Sequence, residues 1–131
     1  MRRSINFQNI LLIVSILFLS IQSNAQDKGK DKNKKINIEV KGNCGMCKSR
    51  IEKAASQVKG IKYAKWDIPS KQLTLILDEN KCTPLDVKKA IALVGHDTDT
   101  EKAGDEVYNN LPPCCKFRDP NSLHLDHNTK H

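Results

Sequence analysis

The sequence predicts an α+β domain in which two helices lie on one face of a four-stranded antiparallel sheet, in the order βαββαβ. Apolar residues first alternate along the chain as in a strand and then recur at helical spacing, and this change happens twice between residues 35 and 102. Each helical segment ends at a glycine, and a turn with a proline separates two strand-like runs. This order is that of a ferredoxin-like sandwich, for which about 70 residues provide an adequate core.

The first half of the domain is predicted to be a strand followed by a helix. The strand is marked by Ile36, Ile38 and Val40, which alternate with polar residues. Helical spacing begins at Cys44 and ends at Gly60. The predicted buried face of this helix consists of Cys47, Ile51, Ala54 and Val58.

The second half is predicted to be a hairpin, a helix and a short edge strand. Two alternating apolar runs flank a turn at residues 69–71 and predict the hairpin: Ala64, Trp66 and Ile68, then Leu73, Leu75 and Leu77. Thr83 can cap the second helix, with Pro84 in its first turn and Asp86 at the capping-box position. Gly95 ends this helix, and the polar residues 96–102 are predicted to form the fourth strand.

Length and composition limit the class of protein. The chain has 131 residues, with 22 Lys and Arg, 15 Asp and Glu, five Cys and four His, and a formal charge of +7. This length allows one ordinary domain and excludes multidomain enzymes, collagen-like repeats and proteins with several membrane spans. Five cysteines in a small chain indicate either a disulfide framework or a metal site, and an odd number cannot all pair internally.

Residues 1–25 have the three-part layout of a secretory signal peptide. Two arginines precede an uncharged apolar run over residues 10–21, and small residues stand at positions 23 and 25, where a signal peptidase would cleave. An uncleaved anchor is the alternative, although the run is shorter than the ~20 residues of a membrane span. We expect an exported, periplasmic protein that contacts a membrane only through an uncleaved signal, with residues 26–34 as a flexible basic leader. Export also argues against nucleic acid as a partner.

Two thiols stand three residues apart in Cys44-Gly45-Met46-Cys47, where the first strand passes into the first helix. A helix N-terminus presents free N–H groups and a partial positive charge, and both favour thiolate over thiol. Two thiolates on a loop can bind a soft cation such as Cu(I) or Hg(II), whereas a structural Zn(II) site takes four ligands. A disulfide between the two cysteines and a dithiol redox pair are the alternatives.

The segment at residues 40–52, VKGNCGMCKSRIE, followed by the predicted element order through residues 90–96, resembles the heavy-metal-associated domain family. That family includes copper chaperones, metal-binding modules of cation-pumping ATPases and the periplasmic mercury-binding protein. The resemblance covers about residues 35–102 and implies a soft-metal carrier that uses Cys44 and Cys47. One position departs from the family pattern, because Gly42 replaces a Met that usually packs beneath the metal-binding loop.

Two other side chains are candidate contacts of the metal. His96 follows Gly95 at the same end of the predicted sheet as the cysteine loop, so it is a possible third ligand, a neighbour of the ligands, or an ordinary polar loop residue. In related domains this position often carries Tyr, Phe or Lys. Met46 lies between the two cysteines and could supply a thioether, but a solvent-facing position is favoured.

The other cysteines leave two schemes open. Cys82 is predicted at the opposite end of the sheet, whereas Cys114 and Cys115 follow two prolines in the C-terminal tail, residues 103–131. At ~3.3 Å per residue the tail can reach either end of the domain. It could add thiolates to Cys44 and Cys47 in a three- or four-sulfur site. Alternatively, one of the adjacent pair could form a disulfide with Cys82, which an oxidising compartment would permit.

The last histidines of the chain are a separate candidate group. His124, His127 and His131 could capture Cu(II), Ni(II) or Zn(II), but no apolar pattern holds this segment in place. A disordered polar tail is the preferred interpretation.

These features together predict an exported, non-enzymatic protein that binds Cu(I), or else Hg(II) or Zn(II). It would hand the metal to a metal-transporting membrane protein or another acceptor, or sequester it, and the metal-free chain is expected to be a monomer. A thiol–disulfide oxidoreductase that uses Cys44 and Cys47 is the alternative function. Against it, no aromatic residue precedes Cys44, and no proline stands where a strand would face the site.

Overall fold

A computed structural model of the protein describes residues 29–125. The predicted signal peptide at residues 1–25 lies outside these residues, as do His127 and His131. No helix in the described part of the chain is long and apolar enough to cross a membrane.

The described residues form an α+β domain, as predicted. Its strands are β1 (Lys34–Glu39), β2 (Ile61–Trp66) and β3 (Gln72–Leu77), and its helices are α1 (Gly45–Ser56), α2 (Pro84–Leu93) and α3 (Asp105–Asn109). Two 3₁₀ helices follow, Pro113–Cys115 and Pro120–Leu125. The sheet has the order β1-β3-β2, with both pairs antiparallel, so the hairpin strand β3 lies in the centre.

The fourth strand predicted over residues 96–102 is absent from the described sheet. A single bridge between Val40 and Thr98 is its only remnant. The segment instead uses its hydrogen bonds locally: the backbone N–H of Thr98 donates to the Glu101 carbonyl at 2.7 Å, and the Thr98 hydroxyl accepts from the Glu101 N–H at 3.0 Å. Because these backbone N–H and carbonyl groups bond within the turn, they are not available for a continuous ladder of hydrogen bonds with β1.

The two ends of the domain extend beyond the predicted boundaries. Lys34 belongs to β1, and the preceding residues are held against the domain, since the N–H of Asp31 donates to the Glu79 carboxylate at 2.8 Å. Residues 31–34, which the sequence assigned to the flexible leader, therefore belong to the folded domain. The predicted C-terminal tail likewise packs on the domain, with Tyr108, Leu111 and Cys115 in the hydrophobic core.

Helix α2 starts as the sequence predicts. Thr83 is its N-cap: the Thr83 N–H donates to the Asp86 carboxylate at 2.7 Å, and the Asp86 N–H donates to the Thr83 hydroxyl at 3.4 Å. This reciprocal capping box satisfies two of the free N–H groups at the helix start.

Trp66 fills the space beneath the cysteine loop. Its side chain is fully buried at the end of β2, and its indole N–H donates to the Val40 carbonyl at 3.2 Å. A Cβ on Gly42 would lie 3.1 Å from the Cys47 Cβ and 3.1 Å from the Trp66 ring. The glycine is therefore needed for close approach, because the indole ring and the Cys47 side chain occupy the space that a larger side chain would fill.

Replacing Trp66 with Ala should destabilise the domain strongly. Removing a fully buried indole and its hydrogen bond is expected to lower the free energy of unfolding by about 3–5 kcal/mol, measured by urea denaturation. The matched control is Tyr63→Ala on the same strand, where the side chain is 44% exposed and the change should stay within about 1 kcal/mol. Equal losses in the two variants would show that Trp66 does not support the loop.

Candidate metal site

The loop between β1 and α1 places two thiols at the start of a helix. Cys44 is the N-cap of α1, with an extended backbone and no side-chain cap, and the first turn contains no acidic residue. The backbone N–H of Asn43 donates to the Cys47 Sγ at 3.4 Å. The partial positive charge and free N–H groups of the helix N-terminus therefore act on sulfur rather than on a capping oxygen.

Four cysteine sulfurs meet around Cys44. The Sγ of Cys44 lies 3.4 Å from that of Cys47, 3.5 Å from that of Cys114 and 3.6 Å from that of Cys115. The sulfurs of Cys44, Cys47 and Cys115 all lie within 4.8 Å of one another, and these three residues are buried. All five cysteines carry free thiols. This cluster could hold a metal ion.

The fourth cysteine and a methionine form the outer edge of the cluster. Cys114 is partly exposed, and its Sγ lies 3.7 Å from the Met46 Sδ and 3.9 Å from the Cys115 Sγ. Met46 is 53% exposed, so the solvent-facing position predicted for it is found, yet its sulfur also contacts the cluster.

A tight turn brings the two adjacent cysteines to one place. Pro112 and Pro113 lead into a 3₁₀ helix, in which the N–H of Cys115 donates to the Pro112 carbonyl at 2.8 Å. A 3₁₀ helix has three residues per turn, so adjacent side chains project about 120° apart, and the Cys44 sulfur lies within reach of both. The sequence patterns give no sign of this turn.

The segment that carries these cysteines, residues 105–122 and here called the strap, is anchored by one arginine. The guanidinium of Arg118 donates to both carboxylate oxygens of Asp97, at 2.6 and 3.0 Å, and to the Ala103 carbonyl at 2.9 Å. The Arg118 N–H also donates to the Tyr108 hydroxyl at 2.9 Å. Because Asp97 lies beside the turn that replaces the fourth strand, this network fixes the strap to the edge of the sheet.

Two further contacts seat the strap next to the loop. The Asn43 side-chain amide donates to the Ser122 hydroxyl at 2.8 Å, and both residues are buried. Gly95, with a φ of +99°, lies under Leu111, and a Cβ there would come within 2.9 Å of the leucine side chain. The Gly95 position requires a small side chain and a left-handed backbone, which glycine alone adopts without strain.

Cys82 lies away from the cluster. Its Sγ would be 3.0 Å from a Cβ on Gly60, at the start of β2, whereas the cluster sits above Trp66 at the opposite end of that strand. A disulfide between Cys82 and the adjacent pair is not formed, since Cys114 and Cys115 contact Cys44 instead.

His96 is a neighbour of the cluster and not part of the three-sulfur group. Its ring is fully buried, stacks on Phe117 at a centroid distance of 5.6 Å, and its Nδ1 donates to the Lys41 carbonyl at 2.9 Å. The Nε2 has no hydrogen-bond partner within the part of the chain that the structure describes. Among the three interpretations of His96 offered by the sequence, this packing fits a supporting role behind the loop. His124 lies in the final 3₁₀ helix, and its side chain is outside the description.

The thiols of the cluster differ in acidity. Burial raises the pKa of Cys44, but hydrogen bonds from the Cys47 backbone and from the three neighbouring thiols outweigh it and leave that pKa lowered. Burial raises the pKa of Cys47, Cys114 and Cys115, although Arg50 donates to the Cys115 Sγ at 3.4 Å. Cys44 is therefore the most acidic thiol of the cluster, and a bound cation would displace the protons that these thiols hold.

Several solved structures are similar to this chain. A structure described as the CopZ metallochaperone is 29% identical, with a TM-score of 0.48, and the match covers 50% of this chain and 98% of that one. A copper-binding domain from the P-type ATPase HMA7 is 26% identical with a TM-score of 0.48, over 50% of this chain and 89% of that one. The N-terminal domain of a potential copper-translocating P-type ATPase from Bacillus subtilis, in its Cu(I)-loaded state, is 21% identical with a TM-score of 0.49, over 57% and 95%.

No protein-family model and no curated protein matches the chain.

Replacing Arg118 with Ala should release the strap. The variant loses several hydrogen bonds to a partly buried carboxylate and to a carbonyl, a change of about 1.5–3 kcal/mol. This corresponds to a rise of roughly tenfold to hundredfold in the reaction rate of the buried Cys115 thiol with a maleimide. The control is Lys81→Ala, which removes the ion pair with Asp78 next to Cys82, away from the cluster, and should leave that rate unchanged. Unchanged rates in the Arg118 variant would contradict the anchoring role.

The stability of the domain should fall between pH 6.5 and pH 4 because of His96. Burial lowers the pKa of this ring from 6.5 to about 4, so in that interval the unfolded chain binds a proton that the folded chain does not. The contribution of neutral His96 to the free energy of unfolding is fully present above pH 6.5. It decreases as the pH falls towards 4, by up to about 3 kcal/mol. The free energy of unfolding, measured by urea denaturation at several pH values in this range, should depend less on pH in His96→Gln than in the unaltered chain. An identical dependence on pH in the two proteins would refute the assignment.

Proposed function

We propose that the protein is an exported, non-enzymatic carrier of a soft metal cation, foremost Cu(I), which it binds through Cys44, Cys47 and Cys115. The observation that carries this proposal is the mutual approach of these three buried sulfurs within 4.8 Å at a helix N-terminus. Thiolates are the ligands that select Cu(I) and other soft cations. Cys44, whose pKa is lowered, is the thiol that ionises most readily, and the thiols that bind the metal lose their protons to solvent as it binds.

The neighbourhood of the cluster favours Cu(I) over Zn(II). A structural Zn(II) site takes four ligands, and four thiolates are one of its forms, whereas the mutually close group here supplies three sulfurs. A thioether, which is a soft ligand typical of Cu(I), lies at the outer edge through Met46. Hg(II) shares the preference for thiolates and remains the second candidate cargo.

Transfer of the ion by ligand exchange suits the layered arrangement of the site. The inner sulfurs are buried, whereas Cys114 and Met46 reach the surface, so an incoming thiolate of an acceptor would approach from that side. Positive side chains line this approach, because Met46, Ser49, Arg50 and Lys53 border a surface recess of about 410 Å³. We propose an acceptor with an acidic face, such as a metal-transporting membrane protein, which these charges would attract. If no acceptor exchanges with the site, sequestration is the function.

Export rests on the sequence of residues 1–25 alone, and a periplasmic location follows from it as part of the proposal. The oxidoreductase alternative has no specific support in the described structure. A redox pair needs one sulfur free to attack a disulfide, whereas here Cys44 is surrounded by three other sulfurs and Cys47 is fully buried.

Single serine variants should separate the ligands from the other cysteines. Cys44→Ser and Cys47→Ser should abolish high-affinity Cu(I) binding by the reduced full chain, and Cys115→Ser should weaken it, measured by competition with a colorimetric Cu(I) chelator. Cys82→Ser is the matched control and should bind as the unaltered chain does, since that thiol is remote from the cluster.

X-ray absorption of the chain loaded with one equivalent of Cu(I) should show a coordination shell made of sulfur only. A loss of affinity in Cys82→Ser as large as that in Cys44→Ser would overturn the site assignment. Reduction of insulin disulfides by the metal-free chain, lost in Cys47→Ser, would support the oxidoreductase instead.

A further inference from the structure

Two sulfurs of the cluster lie outside the three-sulfur group. The Cys114 Sγ lies 3.5 Å from the Cys44 Sγ and 3.7 Å from the Met46 Sδ. The two residues come from separate segments, the cysteine loop and the strap, and they meet at the surface above the buried thiols. Such a juxtaposition of a thiol and a thioether next to an ionisable sulfur is a set of soft ligands in its own right.

Cys44 is shared by both sets of sulfurs. Its Sγ is the only one of the four cysteine sulfurs in the cluster that lies within 3.6 Å of all the other three. A thiolate sulfur carries more than one lone pair and can bridge two soft cations. The inner set is then Cys44, Cys47 and Cys115, and the outer set is Cys44, Cys114 and Met46.

We propose that the protein binds a second Cu(I) ion in the outer set, bridged to the first through the Cys44 thiolate. This inference rests on the proposed function, because the outer ion shares a ligand with the inner one. It assigns a role to Cys114 and to the exposed side chain of Met46, neither of which the inner site uses.

The charge balance of the cluster permits the second ion. Three thiolates with one Cu(I) carry two net negative charges, and adding the Cys114 thiolate with a second Cu(I) leaves that total unchanged. Cys114 gives its proton to solvent as it binds, and copper remains Cu(I), so no oxidant or reductant is needed. The thioether of Met46 completes the outer set without adding charge. Arg50, whose guanidinium donates to the Cys115 Sγ at 3.4 Å, lies against the remaining negative charge.

The two ions would differ in access. The inner ion is enclosed by residues that are at most 4% exposed, whereas the outer ion is bound by a partly exposed cysteine and a methionine that is 53% exposed. The outer ion is therefore the one that exchanges first with an acceptor, and the inner ion is the retained one.

The test is the stoichiometry of Cu(I) binding by the reduced full chain under anaerobic conditions, measured by chelator competition together with size-exclusion chromatography. The unaltered chain should bind two equivalents as a monomer. Cys114→Ser should lose the second equivalent and keep the first, and Met46→Leu, an isosteric change at an exposed position, should weaken the second equivalent alone. Cys82→Ser is the matched control and should keep both. X-ray absorption should show copper–copper scattering with two equivalents, absent in Cys114→Ser.

The outcomes separate this inference from the function on which it rests. Binding of one equivalent by the unaltered chain overturns the second site and leaves the proposed function intact. No binding at all overturns the proposed function as well. Two equivalents in Cys114→Ser, or a second equivalent that appears only as the chain dimerises, also overturns the second site. An unchanged second affinity in Met46→Leu removes the thioether from the outer set.

Discussion

The contact between the Cys44 and Cys115 sulfurs is the constraint on which the site depends, because it joins segments 71 residues apart in the chain. Thiol–thiol contacts are weak, so they cannot hold the strap in place by themselves. The strap is held in place by the hydrogen bonds between Arg118 and Asp97 and by the packing of Leu111 on Gly95. The polar turn after α2 is important for this reason. It stands where a fourth strand was predicted, and the adjacent Asp97 carboxylate binds Arg118 of the strap. The same segment therefore shortens the sheet at its edge and holds the cover of the cysteine cluster.

The loop itself is held from below by an aromatic ring. Trp66 touches the backbone at Gly42 and bonds to the Val40 carbonyl, so the cysteine loop rests on a rigid surface at the end of β2. Helix α1 then fixes the positions of both sulfurs, because Cys44 is its N-cap and Cys47 lies in its first turn. Support from the ring and orientation by the helix together leave the loop little freedom, while the strap limits the access of solvent from above.

Much of the fold could be predicted from the sequence because its signals are local. Alternation along β1, the hairpin around residues 69–71 and the capping box at Thr83 each involve neighbours in the chain, and the structure has all three. The prediction of a fourth strand over residues 96–102 was wrong, because polar residues after Gly95 bond to one another in a turn. The site was predictable only in part: the spacing of Cys44 and Cys47 is a local motif, whereas the approach of the strap depends on Arg118, Asp97 and Ser122. These residues carry no pattern in the chain and are recognisable only once the fold brings them together.

The cover of the cysteine cluster comes from a segment that follows all three strands and both long helices in the chain. The strands and the helices α1 and α2 contact one another directly. Local unfolding of the strap alone would therefore leave Cys44 and Cys47 as a pair of thiols on an uncovered loop, with the sheet and both long helices still folded. The closed four-sulfur form and an open two-thiol form thus differ by one segment and not by the whole fold.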